Sequence, residues 1–172
     1  MPISVRPIRI VGDIAIVPLT RGYEAVIDAS DVSLVNRNSW QAKIRFRADG
    51  SIRTVYAVRS IREGGRNIMQ SLHSIILGVP IVDHRDGNGL NCRKYNLRSA
   101  SFQENARNKG MSCNNTSGFK GVTLHKSTGK WHSRITVNRK SAHLGLFSTK
   151  EEAAAAYAKA SREFHGEFGR TT

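Results

Sequence analysis

Apolar and polar positions alternate in short runs through the first sixty residues. Positions 8–11, 14–17 and 24–27 are β-branched segments separated by Gly12-Asp13 and Arg21-Gly22, which are turn signals. Positions 40–46 alternate and run into Asp49-Gly50, a strong hairpin signal, so 52–58 are expected as the returning strand. The period then changes. Met69, Leu72, Ile75 and Ile76 fit one helical face over 67–77, with Gly78 as stop and Pro80 as block. Residues 81–108 are polar with short apolar pieces, and 109–117 (KGMSCNNTS) read as a linker.

After that linker, 118–147 read as three short strands with turns at Ser127-Thr128-Gly129 and Asn138-Arg139-Lys140. A helix is expected over about 149–165, opened by a capping box of Ser148 with Glu151 and stopped by Gly166. Ala153, Ala156, Tyr157, Ala160 and Phe164 would form its packing face. Along 131–137 the strand pattern puts Trp131, Ser133, Ile135 and Val137 toward that helix and His132, Arg134 and Thr136 on a polar face. The expected fold class is α+β. A β-rich N-terminal part over 1–108 is followed by the linker and by a small three-stranded antiparallel sheet packed on one helix over 118–172.

Charge narrows the function. The 172 residues carry 27 Lys+Arg against 13 Asp+Glu, a formal net charge of +14, shared equally between 1–108 and 109–172. Such an excess favours a polyanion as partner, because each neutralised phosphate releases counterions. No run of about 18 apolar residues is present, so no membrane span is expected. The N-terminal stretch has no signal-peptide core, and the expected location is cytoplasmic, in a bacterial or phage-infected cell. Cys92 and Cys113 lack disulfide or zinc-knuckle spacing and read as reduced and structural.

The chemistry concentrates in 81–108, IVDHRDGNGLNCRKYNLRSASFQENARN. A strand end delivers Asp83 and His84 side by side, Gly87 and Gly89 allow a loop, and 96–98 return. Ser101 to Glu104 then open a short helix carrying Asn105. A carboxylate plus an amide oxygen suits a hard divalent cation with open positions for water and phosphate. A neutral imidazole can take a proton from an attacking water. Arg85, Arg93, Lys94, Arg98 and Arg107 surround these groups with positive charge. A calcium-loop reading fails, since Lys94 or Leu97 stands where its glutamate is required.

The Asp83-His84 pair, Asn96-Leu97-Arg98 and the spaced Asn105 resemble the HNH endonucleases of phage and intron-encoded homing type, with their ββα-metal motif. That resemblance implies Asp83 and Asn105 as metal ligands, His84 as general base and Asn96 as the brace of the loop that orients it. The metal it implies is Mg²⁺, with Mn²⁺ as an alternative. Leu72-His73 resembles the family's preceding helix, where a packing role for His73 is favoured over chemistry. Gly121-Val122, Gly129-Lys130-Trp131, His143-Leu144-Gly145 and the run Glu152 to Tyr157 resemble the Apetala-two DNA-binding domain. On that resemblance Lys120, Thr123, His125, Arg134, Thr136, Ser141 and His143 face double-stranded DNA, with Arg139 and Lys140 adding charge at the turn.

Together these features imply a metal-dependent DNA endonuclease that nicks as a monomer, leaving 5′-phosphate and 3′-hydroxyl ends. No obligate protein partner is evident. The rival reading is a sequence-specific DNA-binding regulator with a dormant nuclease site. RNA binding is disfavoured because no aromatic-rich stacking motif is present.

Overall fold

A computed structural model describes residues 5–112 and 114–171. The chain divides into two compact units, one ending at Ser101 and the other beginning at Phe102. No helix among the described residues is long and apolar enough to cross a membrane.

In the first unit, β1 (Arg9–Val11), β2 (Ile14–Pro18) and β3 (Glu24–Asp28) form an antiparallel sheet in that order. A short helix α1 (Val32–Val35) leads to a second antiparallel sheet of β4 (Gln41–Phe46), β5 (Ile52–Glu63) and β6 (Arg66–Ser71). Helix α2 (Leu72–Leu77) follows, and then the two-stranded ribbon of β7 (Val82–His84) and β8 (Leu97–Ser99). One core joins all of these. Ala15, Val17 and Ile27 of the first sheet, Ala57 of the second, Leu72 and Ile76 of α2, and Val82 and Leu97 of the ribbon are buried together. Trp40 is the largest of the fully buried side chains, and its indole N–H donates to the Val35 carbonyl at 3.1 Å. That bond satisfies the ring's one polar atom inside the core.

The helix expected over 67–77 is shorter. Residues 66–71 instead pair with β5, from Glu63↔Arg66 to Val58↔Ser71. The two-residue turn Gly64-Gly65 is responsible. Both glycines have positive φ (55° and 77°), the conformation a tight hairpin needs and that residues with a Cβ resist. Met69 accordingly lies 54% exposed on a strand rather than on a buried helical face.

The second unit contains α3 (Phe102–Arg107), an antiparallel sheet ordered β11-β10-β9 and the long helix α4 (Lys150–His165). The strands are β9 (Val122–His125), β10 (Lys130–Val137) and β11 (Lys140–Phe147). Ile135 of β10 and Tyr157 and Ala160 of α4 make its core. The boundary between units thus falls before α3, ahead of the expected position at 108. Within the expected linker, Ser117 is buried, and its hydroxyl donates to the Val122 carbonyl at 2.9 Å.

Helix α4 starts one residue later than expected. The sequence STKEE offers two overlapping boxes. The one formed is Thr149 with Glu152, each side chain meeting the other's backbone N–H at 3.2 Å. At the other end Phe164 is exposed, and His165 takes the buried position, bonded through Nε2 to the Thr136 carbonyl at 3.1 Å.

Candidate functional site

The first unit brings Asp83, His84 and Asn96 into one place. Pairing of β7 with β8 sets His84 opposite Leu97 and Asp83 opposite Arg98. The connecting loop is held by Asn96, which is 2% exposed. Its side-chain amide donates to Asp86 Oδ1 (2.9 Å) and to the Asn91 carbonyl (2.8 Å), while its Oδ1 accepts from the Asp86 N–H (3.0 Å). One buried amide therefore ties both limbs of the loop, and the full use of its donors and acceptor gives a single arrangement.

The same loop is stitched onto β3. The Val26 N–H donates to the Leu90 carbonyl at 2.9 Å, and the Cys92 N–H donates to the Val26 carbonyl at 2.8 Å. Arg93 adds ion pairs to Asp28 (2.7 Å) and Asp13 (2.6 Å), and Lys94 pairs with the buried Asp31. Arg93 and Lys94, both expected to meet DNA, thus anchor the loop. Arg98 carries the same expectation. It is buried, and its Nε and Nη2 donate to Asp83 Oδ2 at 2.8 and 2.7 Å. Arg85 is exposed at the start of the loop.

His84 is only 5% exposed and sits in an aromatic pocket. The His73 ring from α2 meets it edge-on at 4.9 Å, Tyr56 from β5 lies 6.0 Å away, and Cys92 Sγ is 3.9 Å from its Nε2. Burial lowers the His84 pKa below the ordinary 6.5, partly offset by Asp86 and Asp83, so the ring is neutral at pH 7. Burial, with His84 adding a smaller effect, lowers His73 to about 4. Tyr56 and Cys92 were not singled out from sequence. Only the folding of the loop onto the two sheets places them beside His84. Gly89 permits that closeness, since a Cβ there would meet the Val55 carbonyl at 2.4 Å and the Tyr56 ring at 2.6 Å.

The half-buried, neutral His73 has a consequence for stability. Unfolded, it takes up a proton near pH 6.5, whereas folded it does so only near 4. The unfolded state therefore binds more protons between those values, and stability falls as pH drops through that window. The loss should reach roughly 3 kcal/mol by pH 4. Urea unfolding at pH 7 and pH 4.5, with EDTA present, should show this drop in the wild type. His73→Gln should flatten it by most of that amount. An equal pH dependence in both proteins would contradict a neutral His73 in the folded state.

Asn105 stands on α3, in the second unit, as does Arg107. Lys120, also expected at DNA, is engaged within its own unit. Its ammonium is half-buried and donates to the carbonyls of Arg107 and Lys109, both at 2.7 Å, closing the end of α3. Burial, helped by Arg170, lowers its pKa to about 8.

Of the remaining residues expected at DNA, Thr123, Arg134, Thr136, Arg139, Lys140 and His143 are exposed, and His125 is half-exposed. On β10 the alternation holds Ser133 and Ile135 inside and Arg134 and Thr136 outside. Cross-strand register sets Arg134 opposite His143, Thr136 opposite Ser141, and His132 opposite Thr123. His132, missed as a candidate, bonds His143 between Nε2 and Nδ1 at 2.7 Å, with its ring 6.4 Å from that of His125. Its pKa is lowered by partial desolvation and by His143, Arg134 and His125. The face is therefore cationic and proton-sensitive. Beside it, a cavity of about 550 Å³ is lined in part by Arg107, Arg134 and Arg139.

Comparison with known proteins gives two kinds of likeness. Over 89 residues the chain is 37% identical to protein 3.8 of Escherichia phage T7, a match covering 52% of this chain and 73% of that protein. Over 53 residues it is 47% identical to APETALA2-like protein 2 of Oryza sativa subsp. indica. Over 50 residues it is 46% identical to the AP2-like ethylene-responsive transcription factor AIL5 of Arabidopsis thaliana. These plant matches cover 30% and 28% of this chain but only 12% and 9% of the plant proteins. No family model matches the chain, and no solved structure does.

Proposed function

The chain belongs to the same family as protein 3.8 of Escherichia phage T7, and we propose that it is a DNA-binding, metal-dependent endonuclease of the HNH homing type. The second unit grips double-stranded DNA through the polar face of its sheet, and the Asp83-His84 ribbon of the first unit cleaves. The likeness to a plant transcription factor supports the DNA-binding half. The observation that carries the cleaving half is Asn96, a fully bonded buried amide that fixes the loop beside a neutral His84.

Asp83 offers the kind of hard oxygen donor that Mg²⁺ or Mn²⁺ accepts alongside its waters, and the amide oxygen of Asn105, on the second unit, is a donor of the same class. The Nε and Nη2 groups of Arg98 both donate to Asp83 Oδ2 and hold the carboxylate in one orientation. Such a cation supplies charge neutralisation at the phosphate and at the departing oxygen.

The chain's own residues do the rest. His84 accepts a proton from the attacking water as the water oxygen bonds to phosphorus. The bond from phosphorus to the 3′ oxygen breaks, leaving a 5′-phosphate and a 3′-hydroxyl. Asn96 keeps the loop in register, and Arg98 keeps Asp83 aimed. On the sheet, Arg134 reaches phosphate or guanine, while Thr123, Thr136 and the three histidines line a groove-sized surface. DNA ligase reseals nicks with these ends. Nicks it leaves open would contradict this route.

Arg134→Ala tests the binding face. It should weaken DNA affinity by about 1–3 kcal/mol. If the contact is to phosphate, the slope of log affinity against log salt should also fall by about one. Fluorescence anisotropy across a salt series reads both. Unchanged affinity and slope would move the interface off this sheet.

A second reading is a sequence-specific DNA-binding regulator whose nuclease site is dormant. Two observations favour it: the plant relative named a transcription factor, and the burial of both Asp83 and His84. It predicts tight binding with no cleavage under any divalent cation.

A further inference from the structure

We propose that His73, His84 and Cys92 form a binding site for a soft divalent metal ion of the zinc class, whose occupation takes His84 out of service as a base. The inhibitory half rests on the nuclease reading above. The binding half does not.

Three separate elements supply the ligands: α2 gives His73, β7 gives His84 and the loop stitched to β3 gives Cys92. One ring nitrogen from each histidine and the Cys92 sulfur lie within 4.8 Å of one another. Tetrahedral zinc, with bonds of about 2.0 Å to nitrogen and 2.3 Å to sulfur, needs edges of roughly 3.3–3.5 Å between these ligands. The side chains have to draw in by about 1.5 Å at most, a side-chain adjustment rather than a refolding.

A second observation points the same way. His73 Nδ1 is buried and has no hydrogen-bond partner, although buried polar atoms are normally bonded. Cys92 Sγ has only long contacts, at 3.9 Å to His84 Nε2 and 3.8 Å to the Gly89 carbonyl. This set of two imidazoles and a thiol differs in kind from an oxygen donor such as the Asp83 carboxylate. Soft donors select zinc-class ions and reject Mg²⁺, so the two sites discriminate by chemistry.

On binding, the Cys92 thiol releases its proton to solvent as the metal–sulfur bond forms. Three protein ligands leave a fourth position for water. A His84 nitrogen bonded to the ion has no lone pair for the attacking water, so zinc should oppose the Mg²⁺-dependent reaction.

The test titrates the full chain with Zn²⁺ against a chromophoric chelator and follows Co²⁺ binding by visible absorption. One equivalent should bind, with a thiolate-to-cobalt charge-transfer band. Cys92→Ser and His73→Gln should each abolish the tight site, and Cys113→Ser should keep it. Circular dichroism of the two variants guards against loss of fold. Whatever rate of Mg²⁺-dependent nicking Cys92→Ser retains should resist inhibition by Zn²⁺. Stoichiometric binding that survives in folded Cys92→Ser and His73→Gln would overturn the site. Binding that disappears in both variants, with DNA cleavage absent throughout, would uphold the site and overturn the nuclease reading. Zinc that fills the site without slowing nicking would overturn the inhibitory role.

Discussion

Replacing His84 by alanine should lower the rate of metal-dependent DNA nicking by about 10²–10⁴-fold, the usual worth of a positioned general base, while leaving DNA affinity unchanged. The separation follows from the fold. His84 lies in the first unit's core pocket beside Tyr56 and His73, whereas the exposed Arg134, Thr136 and His143 lie on the second unit's sheet. The wild-type pH profile should carry the same signature. Burial depresses the His84 pKa, so the base stays unprotonated down through pH 6.5 and the acid limb of the rate should fall below that value. Single-turnover nicking from pH 5 to pH 8, with anisotropy for binding, checks both. Loss of affinity in His84→Ala equal to its loss of rate would mean a structural role for the ring.

Gly121→Ala should be the most damaging single change to the second unit. Gly121 has φ of 74°, and a Cβ there would meet the Tyr157 ring at 2.1 Å and the Arg134 carbonyl at 2.7 Å. The left-handed backbone costs an alanine about 1–2 kcal/mol. Forcing the Tyr157 ring aside from the small core it shares with Ile135 and Ala160 should add about 1–3 kcal/mol. A unit this small has little stability in reserve. The expected result is early melting of the second unit with loss of DNA affinity, read by differential scanning calorimetry and anisotropy. Gly89→Ala is the matched case in the first unit. There the φ is ordinary and the obstacle is purely steric, so its harm should fall on the loop beside His84 rather than on DNA binding. Native melting and affinity in Gly121→Ala would show that Tyr157 has room to move.

Local features were legible in the sequence. Glycines and β-branched runs mark the β7–β8 ribbon, and the Asp83-His84 pair with Asn96 stands out because those residue types sit so close together. Alternation along β10 likewise told Ser133 and Ile135 from Arg134 and Thr136. What stayed hidden depends on distance along the chain. Arg93 looks like any surface cation until the fold brings Asp28 and Asp13 to it, 65 and 80 residues away. The partners of Lys120 and Arg98 stayed hidden for the same reason: charge is visible in a sequence, its partner is not. Cys92 becomes interesting only when the loop is pinned to β3 beside His84. The strand at 66–71 was masked because Met69, Leu72 and Ile76 happen to fit a helical period, although Gly64-Gly65 carried the contrary signal. The overlapping boxes in STKEE show a different limit, since both registers satisfy the same chemistry and packing selects one.

If one chain both binds and cuts DNA, it should convert supercoiled plasmid to open circles. The wild-type chain is incubated with Mg²⁺, and in parallel with EDTA, while binding to the same DNA is measured in both. Open circles should form with Mg²⁺ and not with EDTA, with binding in each. Binding without any conversion, under Mg²⁺ or Mn²⁺ and on DNA from a phage or bacterial host, would contradict it and leave a DNA-binding regulator.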